Sequence, residues 1–143
     1  MSTRIRPIDS IREFDSSERR ALSEQLFGAL REMSPDGPGV SRESYGPGEQ
    51  EAMELIAEAA RDEGLLTSWD EAANLIVELP DASSDVPAII CGSHLDSVPQ
   101  GGNFDGAAGV IAGLLALIRL KREGQTTSAP VRLMAIRGEE SAW

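Results

Sequence analysis

The sequence predicts an α/β fold with a mixed sheet and flanking helices, and three observations carry that reading. Short runs rich in β-branched residues at 74–79 (NLIVEL), 88–91 (AIIC) and 131–136 (VRLMAI) have the length and composition of strands. Segments 16–33 and 49–63 repeat apolar residues at helical spacing. A third helical segment, 106–122, separates the second and third strands. The stretch from 88 to 136 therefore reads as a βαβ unit, with a parallel pair and a right-handed crossover.

Each element has its own local signals. Asp15-Ser-Ser-Glu18 is a capping pattern, a short oxygen side chain followed three residues later by a glutamate. Behind it Leu22, Leu26, Ala29, Leu30 and Met33 mark one helix face. Ser34-Pro-Asp-Gly-Pro-Gly39 and Tyr45-Gly-Pro-Gly48 are turn chemistry and bound a loop. The second helix carries Ala52, Leu55, Ile56, Ala59 and Ala60, with Gly64 as its stop. The runs 74–79 and 88–91 are expected to be two strands joined by the polar loop 80–87. In the third helix Lys121 and Arg122 suit the C-terminal dipole, and Gly106, Gly109 and Gly113 would let it lie close on a sheet. The strand 131–136 is expected to be left with an uncovered edge and faces, because the chain stops soon after it. No internal repeat is visible.

Composition excludes several function classes. A chain of 143 residues with 41% hydrophobic and 26% charged residues is globular rather than disordered. The longest apolar run, 106–118, falls short of the ~20 residues that span a bilayer. The first 14 residues, MSTRIRPIDSIREF, hold no apolar core of a secretion signal. A single cysteine, Cys91, fits a reducing cytoplasm and reads as a strand residue of the core. The net charge of −11 lies wholly in residues 1–85, whereas 86–143 is neutral. That acidic half argues against nucleic-acid and anionic-membrane partners.

The neutral half is where chemistry is concentrated. It holds five acids, of which only Glu123 lies outside two short motifs. CGSHLDSVPQGGNFDGAAGV, 91–110, contains the chain's one histidine, His94, with Asp96 and Asp105; GEE, 138–140, adds Glu139 and Glu140. Ligands of open α/β sheets bind at the carboxyl ends of strands, and all five residues follow such ends. Imidazole with carboxylates is a ligand set for Zn²⁺ or a similar cation. His94 would offer one ring nitrogen, and Asp96, two residues on, would take the other ring N–H and fix the tautomer. Asp105, where the glycine loop meets the third helix, has two oxygens free to bridge two metals. Of the adjacent Glu139 and Glu140, one can ligate while the other holds the attacking water. Each has a plainer reading: a structural histidine, a helix cap at Asp105, a solvated glutamate pair. Only their convergence favours a metal centre. The Gly101-Gly102 pair lacks the rest of any phosphate-binding motif.

GSHLDSVPQGGNFDGAAGV followed by GEESAW resembles the N-carbamoyl-L-amino-acid hydrolase and allantoate amidohydrolase family, relatives of zinc aminoacylases and carboxypeptidases. Val40-Ser-Arg42 and the Asp70…Asn74 stretch support the likeness, which covers about residues 15–143. The interval between His94 and Asp105 is short, whereas peptidase relatives generally insert a longer loop there; that favours carbamoyl and ureido substrates. The resemblance implies a zinc-exopeptidase-like catalytic domain of which 1–143 is the N-terminal part. It implies two divalent ions per subunit (Zn²⁺ first, then Mn²⁺, Co²⁺ or Ni²⁺). His94 and Glu140 become terminal ligands, Asp105 the bridge, Glu139 the general base and Asp96 the partner of His94. It also implies a small-molecule ureide or N-carbamoyl amino acid substrate and a cytoplasmic homodimer in full-length form. An aminoacylase, a metallo-exopeptidase, or a truncated binding module without catalysis are the alternatives.

The family's further histidine ligands and its dimerisation domain have no counterpart in these residues. A dinuclear centre needs four terminal ligands and a bridge, and the chain offers His94, Glu140 and Asp105. Alone it is expected to bind metal weakly, to dissolve poorly and to turn over nothing.

Overall fold

Asp15 caps α1 (Ser16–Met33), its carboxylate accepting from Ser17 N–H at 2.7 Å and Glu18 N–H at 2.9 Å. The fold comes from a computed structural model that describes residues 14–82, 86–140 and 142–143. The N-terminal stretch 1–13, part of the expected polar loop (83–85) and Ser141 lie outside the described residues. Leu26 and Leu30 of α1 are buried as the periodicity predicts, but Met33 is exposed at the helix end.

A hairpin of two-residue strands follows, β1 (Pro35–Asp36) and β2 (Gly39–Val40), where the sequence reads only as loop. Val40 pairs further with Gly101, and this bridge pins the hairpin to the glycine loop. Next is α2 (Pro47–Asp62), which starts two residues earlier than the periodicity suggests. Proline fits the first turn because its missing N–H would have had no helical partner there. The buried face is also rotated from the expected one. Met53 and Ala57 are fully buried, while Leu55 and Ala59 are only partly so.

The main sheet has four strands in the order β3-β4-β6-β5. They are β3 (Leu66–Trp69), β4 (Leu75–Glu78), β5 (Ile89–His94) and β6 (Val131–Ile136). β3 pairs antiparallel with β4, β4 antiparallel with β6, and β5 parallel with β6, so the sheet is mixed as expected. The runs 74–79 and 88–91 both form strands, as expected, and β6 stands between them in the sheet. One expectation is corrected here. β6 is an interior strand rather than an uncovered one, and among the described residues the edge strands are β3 and β5. The cause is packing: Leu75 and Val77 stand opposite Ala135 and Leu133, which places four fully buried side chains on one face.

That face is covered by the helices. α3 (Ala107–Arg122) lies on β5 and β6, α2 on β3 and β4, and α1 packs against both. A Cβ on Gly109 would fall 2.7 Å from Ser93 Cβ, and one on Gly113 2.8 Å from Leu133 Cδ1, so the glycines do set a close approach. Val110, Ile111, Leu114, Leu117 and Ile118 sink into the core. Each contributes roughly 1.5–3 kcal/mol of apolar transfer free energy.

Candidate metal centre

β5 runs to His94 rather than ending at Cys91, so the histidine closes the strand instead of following it. Beside it, at the same end of the parallel pair, β6 ends at Ile136 and releases Arg137, Gly138, Glu139 and Glu140. His94, Glu139 and Glu140 each offer a donor atom, and the three atoms lie within 4.8 Å of one another. His94 Nε2 stands 3.7 Å from Glu139 Oε2 and 4.0 Å from Asp105 Oδ1. Imidazole nitrogen with clustered carboxylate oxygens suits a divalent cation, so the residues present fit one. Asp105 is not part of the three-donor group, but its side chain is 66% exposed and borders the same ring nitrogen.

The plain reading of Asp105 as a helix cap fails. The cap of α3 is Gly106, and no side-chain hydrogen bond caps the helix. Gly106 adopts φ +63°, and a Cβ there would meet the His94 carbonyl at 2.5 Å and its ring at 2.6 Å. Only glycine turns the chain this tightly against the imidazole.

The other ring nitrogen, Nδ1, is 3.1 Å from the Asp96 backbone carbonyl and 3.3 Å from Asp96 Oδ1. The main-chain carbonyl of Asp96 thus stands nearer this nitrogen than its carboxylate does. Asp96 has a second task that sequence reasoning missed. Its fully buried carboxylate accepts from Glu140 N–H at 2.9 Å, Glu139 N–H at 3.3 Å and the Ser44 hydroxyl at 2.5 Å. Ser44 also donates to the Glu140 carbonyl at 2.9 Å. One aspartate therefore ties the strand-end histidine to the glutamate pair of the next strand.

Residues from the acidic half support this junction. Arg42, fully buried, donates through Nε to the Leu95 carbonyl at 2.5 Å, and Ser97 N–H donates to the Arg42 carbonyl at 2.9 Å. Burial pushes the Arg42 guanidinium below its ordinary pKa, while the charge of Asp96 works the other way. Glu49 of α2 is fully buried and accepts from Gly138 N–H at 2.7 Å. Trp143 Nε1 donates to the Ser97 carbonyl at 3.0 Å. Cys91 is half-buried, and burial raises its thiol pKa, which suits packing rather than nucleophilic chemistry.

Among the described residues no helix is long and apolar enough to cross a membrane. Residues 74–143 match the family model of Peptidase family M28. The chain is 37% identical over 123 residues to an N-carbamoyl-L-amino acid amidohydrolase of Geobacillus stearothermophilus, covering 83% of this chain and 30% of that protein. It is 37% identical over 101 residues to an allantoate amidohydrolase of Bacillus subtilis (strain 168), covering 71% of this chain and 24% of that one. A hydantoinase/carbamoylase family amidase from Burkholderia ambifaria superposes with a TM-score of 0.70 at 32% identity, over 83% of this chain and 30% of that structure. The chain thus spans at most about 30% of the length of these relatives. At 37% identity over 123 residues to a named relative, the chain belongs to the N-carbamoyl-L-amino-acid hydrolase and allantoate amidohydrolase family.

Proposed function

We propose that the protein carrying this chain is a metal-dependent amidohydrolase that cleaves a linear carbamoyl or ureido C–N bond. Its substrates would be N-carbamoyl amino acids or allantoate-like ureides. The observation that carries the reading is the meeting of His94, Glu139 and Glu140 donor atoms within 4.8 Å at the ends of β5 and β6. The relatives' names supply the substrate class. His94, Asp105 and Glu140 would be the residues of this chain that hold two divalent ions, zinc before manganese, cobalt or nickel. When bound, such ions polarise the amide carbonyl and lower the pKa of water.

The chain's own residues do the rest. Glu139 takes the proton of the attacking water and returns it to the leaving nitrogen. Asp96 holds both glutamate amides and keeps the His94 ring oriented, so proton acceptor and ligand stay in fixed relation. Two more terminal ligands must come from outside these residues, so the chain alone should hold metal weakly and show no turnover. The working form is taken to be a cytoplasmic homodimer.

A peptidase or aminoacylase reading is favoured by the match to Peptidase family M28 over 74–143. Assay of the full-length protein on N-carbamoyl amino acids, allantoate and dipeptides, with added Zn²⁺, Mn²⁺ or Co²⁺, separates the two. Hydrolysis of the carbamoyl or ureido compounds is expected, and turnover of dipeptides alone would reject it. Glu139→Gln should keep metal and lose roughly 10²–10⁴-fold in kcat. Metal loss in step with activity would mean that Glu139 and Glu140 have exchanged roles.

A further inference from the structure

The first turn of α2 carries a carboxylate that the proposed chemistry does not use. Glu49 is fully buried although it lies on a helix whose sequence looks like a solvated acidic surface. Its three contacts converge from two parts of the chain. Oε1 accepts from Gly138 N–H at 2.7 Å; Oε2 accepts from Tyr45 N–H at 2.6 Å and from Arg137 Nε at 3.0 Å. Gly138 and Arg137 are the two residues immediately before Glu139.

Arg137 is held on every side. Its side chain is 7% exposed, Nη1 donates to Gln50 Oε1 at 2.5 Å, and its guanidinium stands 5.3 Å over the Tyr45 ring. Its backbone N–H donates to Asn74 Oδ1 at 2.9 Å, and Asn74 is fixed in turn by Asp70. Gly138 has φ +62°, and a Cβ there would fall 2.4 Å from the Tyr45 ring. The turn that leaves β6 is therefore held by α2, by the loop before it and by Asn74.

Resting on the metal-centre reading above, we infer that Glu49 is a positioning residue for Glu139 and Glu140, acting through Gly138 N–H and Arg137. A buried ion pair is a weak source of stability, because desolvation offsets the attraction. Here the same carboxylate also fixes two backbone N–H groups, one of them a residue away from the proposed base. Asp96 holds the loop from the β5 side and Glu49 from the α2 side. Residues that orient a metal's ligands typically matter by 10–100-fold in affinity or activity.

The test uses the full-length protein with two readouts. The first, taken without metal, is amide hydrogen exchange at Glu139 and Glu140. The second is Co²⁺ affinity followed by its absorption spectrum. Glu49→Gln should speed exchange at both amides by about 10-fold or more and weaken Co²⁺ binding about 10–100-fold. The control is Glu63→Gln, which removes a carboxylate from another helix-borne arginine pair, Glu63 with Arg122, and should change neither. If folded Glu49→Gln, checked by far-UV circular dichroism, leaves exchange at wild-type rates, the inference is wrong. Equal effects from Glu63→Gln would also overturn it, since they would mark general destabilisation. Should Glu49→Gln not fold, Glu49→Asp keeps the charge but shortens the reach, and the same readouts decide. A wild-type full-length protein that takes up no Co²⁺ would reject the metal reading, while the exchange result still judges the clamp.

Discussion

The two ends of β5 invert the usual rule of apolar inside and polar outside. At its start Ile89 and Ile90 are 55% and 58% exposed; at its finish His94 is 8% exposed and the following Asp96 is fully buried. The starting end lies on an open sheet edge with no neighbour beyond it among the described residues. The finishing end is bordered by residues 42–44 and 137–140, and Asp96 accepts there from Ser44, Glu139 and Glu140. Burying a polar group costs free energy unless it is hydrogen-bonded. Among the described residues β5 thus exposes apolar side chains at one end and buries hydrogen-bonded polar groups at the other.

The largest expected effect comes from emptying the polar end. Asp96→Ala strips the acceptor from Ser44, Glu139 and Glu140 and leaves buried donors unmatched, which should cost about 2–4 kcal/mol in urea unfolding. A change below about 1 kcal/mol would mean that the polar end is not held by Asp96. At the apolar end, Ile90→Lys should alter stability by no more than about 0.5 kcal/mol and raise solubility. A loss of several kcal/mol would show that Ile90 is covered in solution.

The smallest effect sharpens the comparison away from β5. Asp70 is held below its ordinary pKa of 3.8, first by hydrogen bonds from Asn74 and then by one from Ala72, with burial opposing. A depressed carboxylate contributes stability that is present above the unfolded value and is lost as pH falls through the folded one. Acid titration of stability should therefore show a steeper loss below pH 3.8 in wild type than in Asp70→Asn. Identical acid limbs would show that the Asn74 bonds carry no linkage.

Most of the fold was legible because helices and interior strands announce themselves locally. The 16–33 and 131–136 boundaries match the structure, since a cap and an apolar run lie within those same residues. β3 was not legible: Leu66–Trp69 is nearly all exposed, so no alternation of polarity marks it. Strand order was not legible either, because the choice of β6 as partner for β4 is made by side chains more than fifty residues apart. The site divides in the same way. His94, Asp96, Asp105, Glu139 and Glu140 stand out as polar residues in an apolar half. Glu49 hides, because an acid in a helix's first turn has an ordinary electrostatic reason to be there. The signal that could have found it was Arg137, a cation placed between a buried strand and an acidic pair.

The bonds that assemble the centre join residues distant in sequence: 44 positions separate Asp96 from Glu140, and 89 separate Glu49 from Gly138. No short peptide cut from the chain can present His94 with Glu139 and Glu140, so an ion that needs all three recognises the folded state alone. Such an ion is thermodynamically coupled to folding, and at a hundred times its Kd it would add about 2.7 kcal/mol to the unfolding free energy. Melting temperature then becomes a binding assay, and a chelator that strips the ion would act on the protein as a denaturant does.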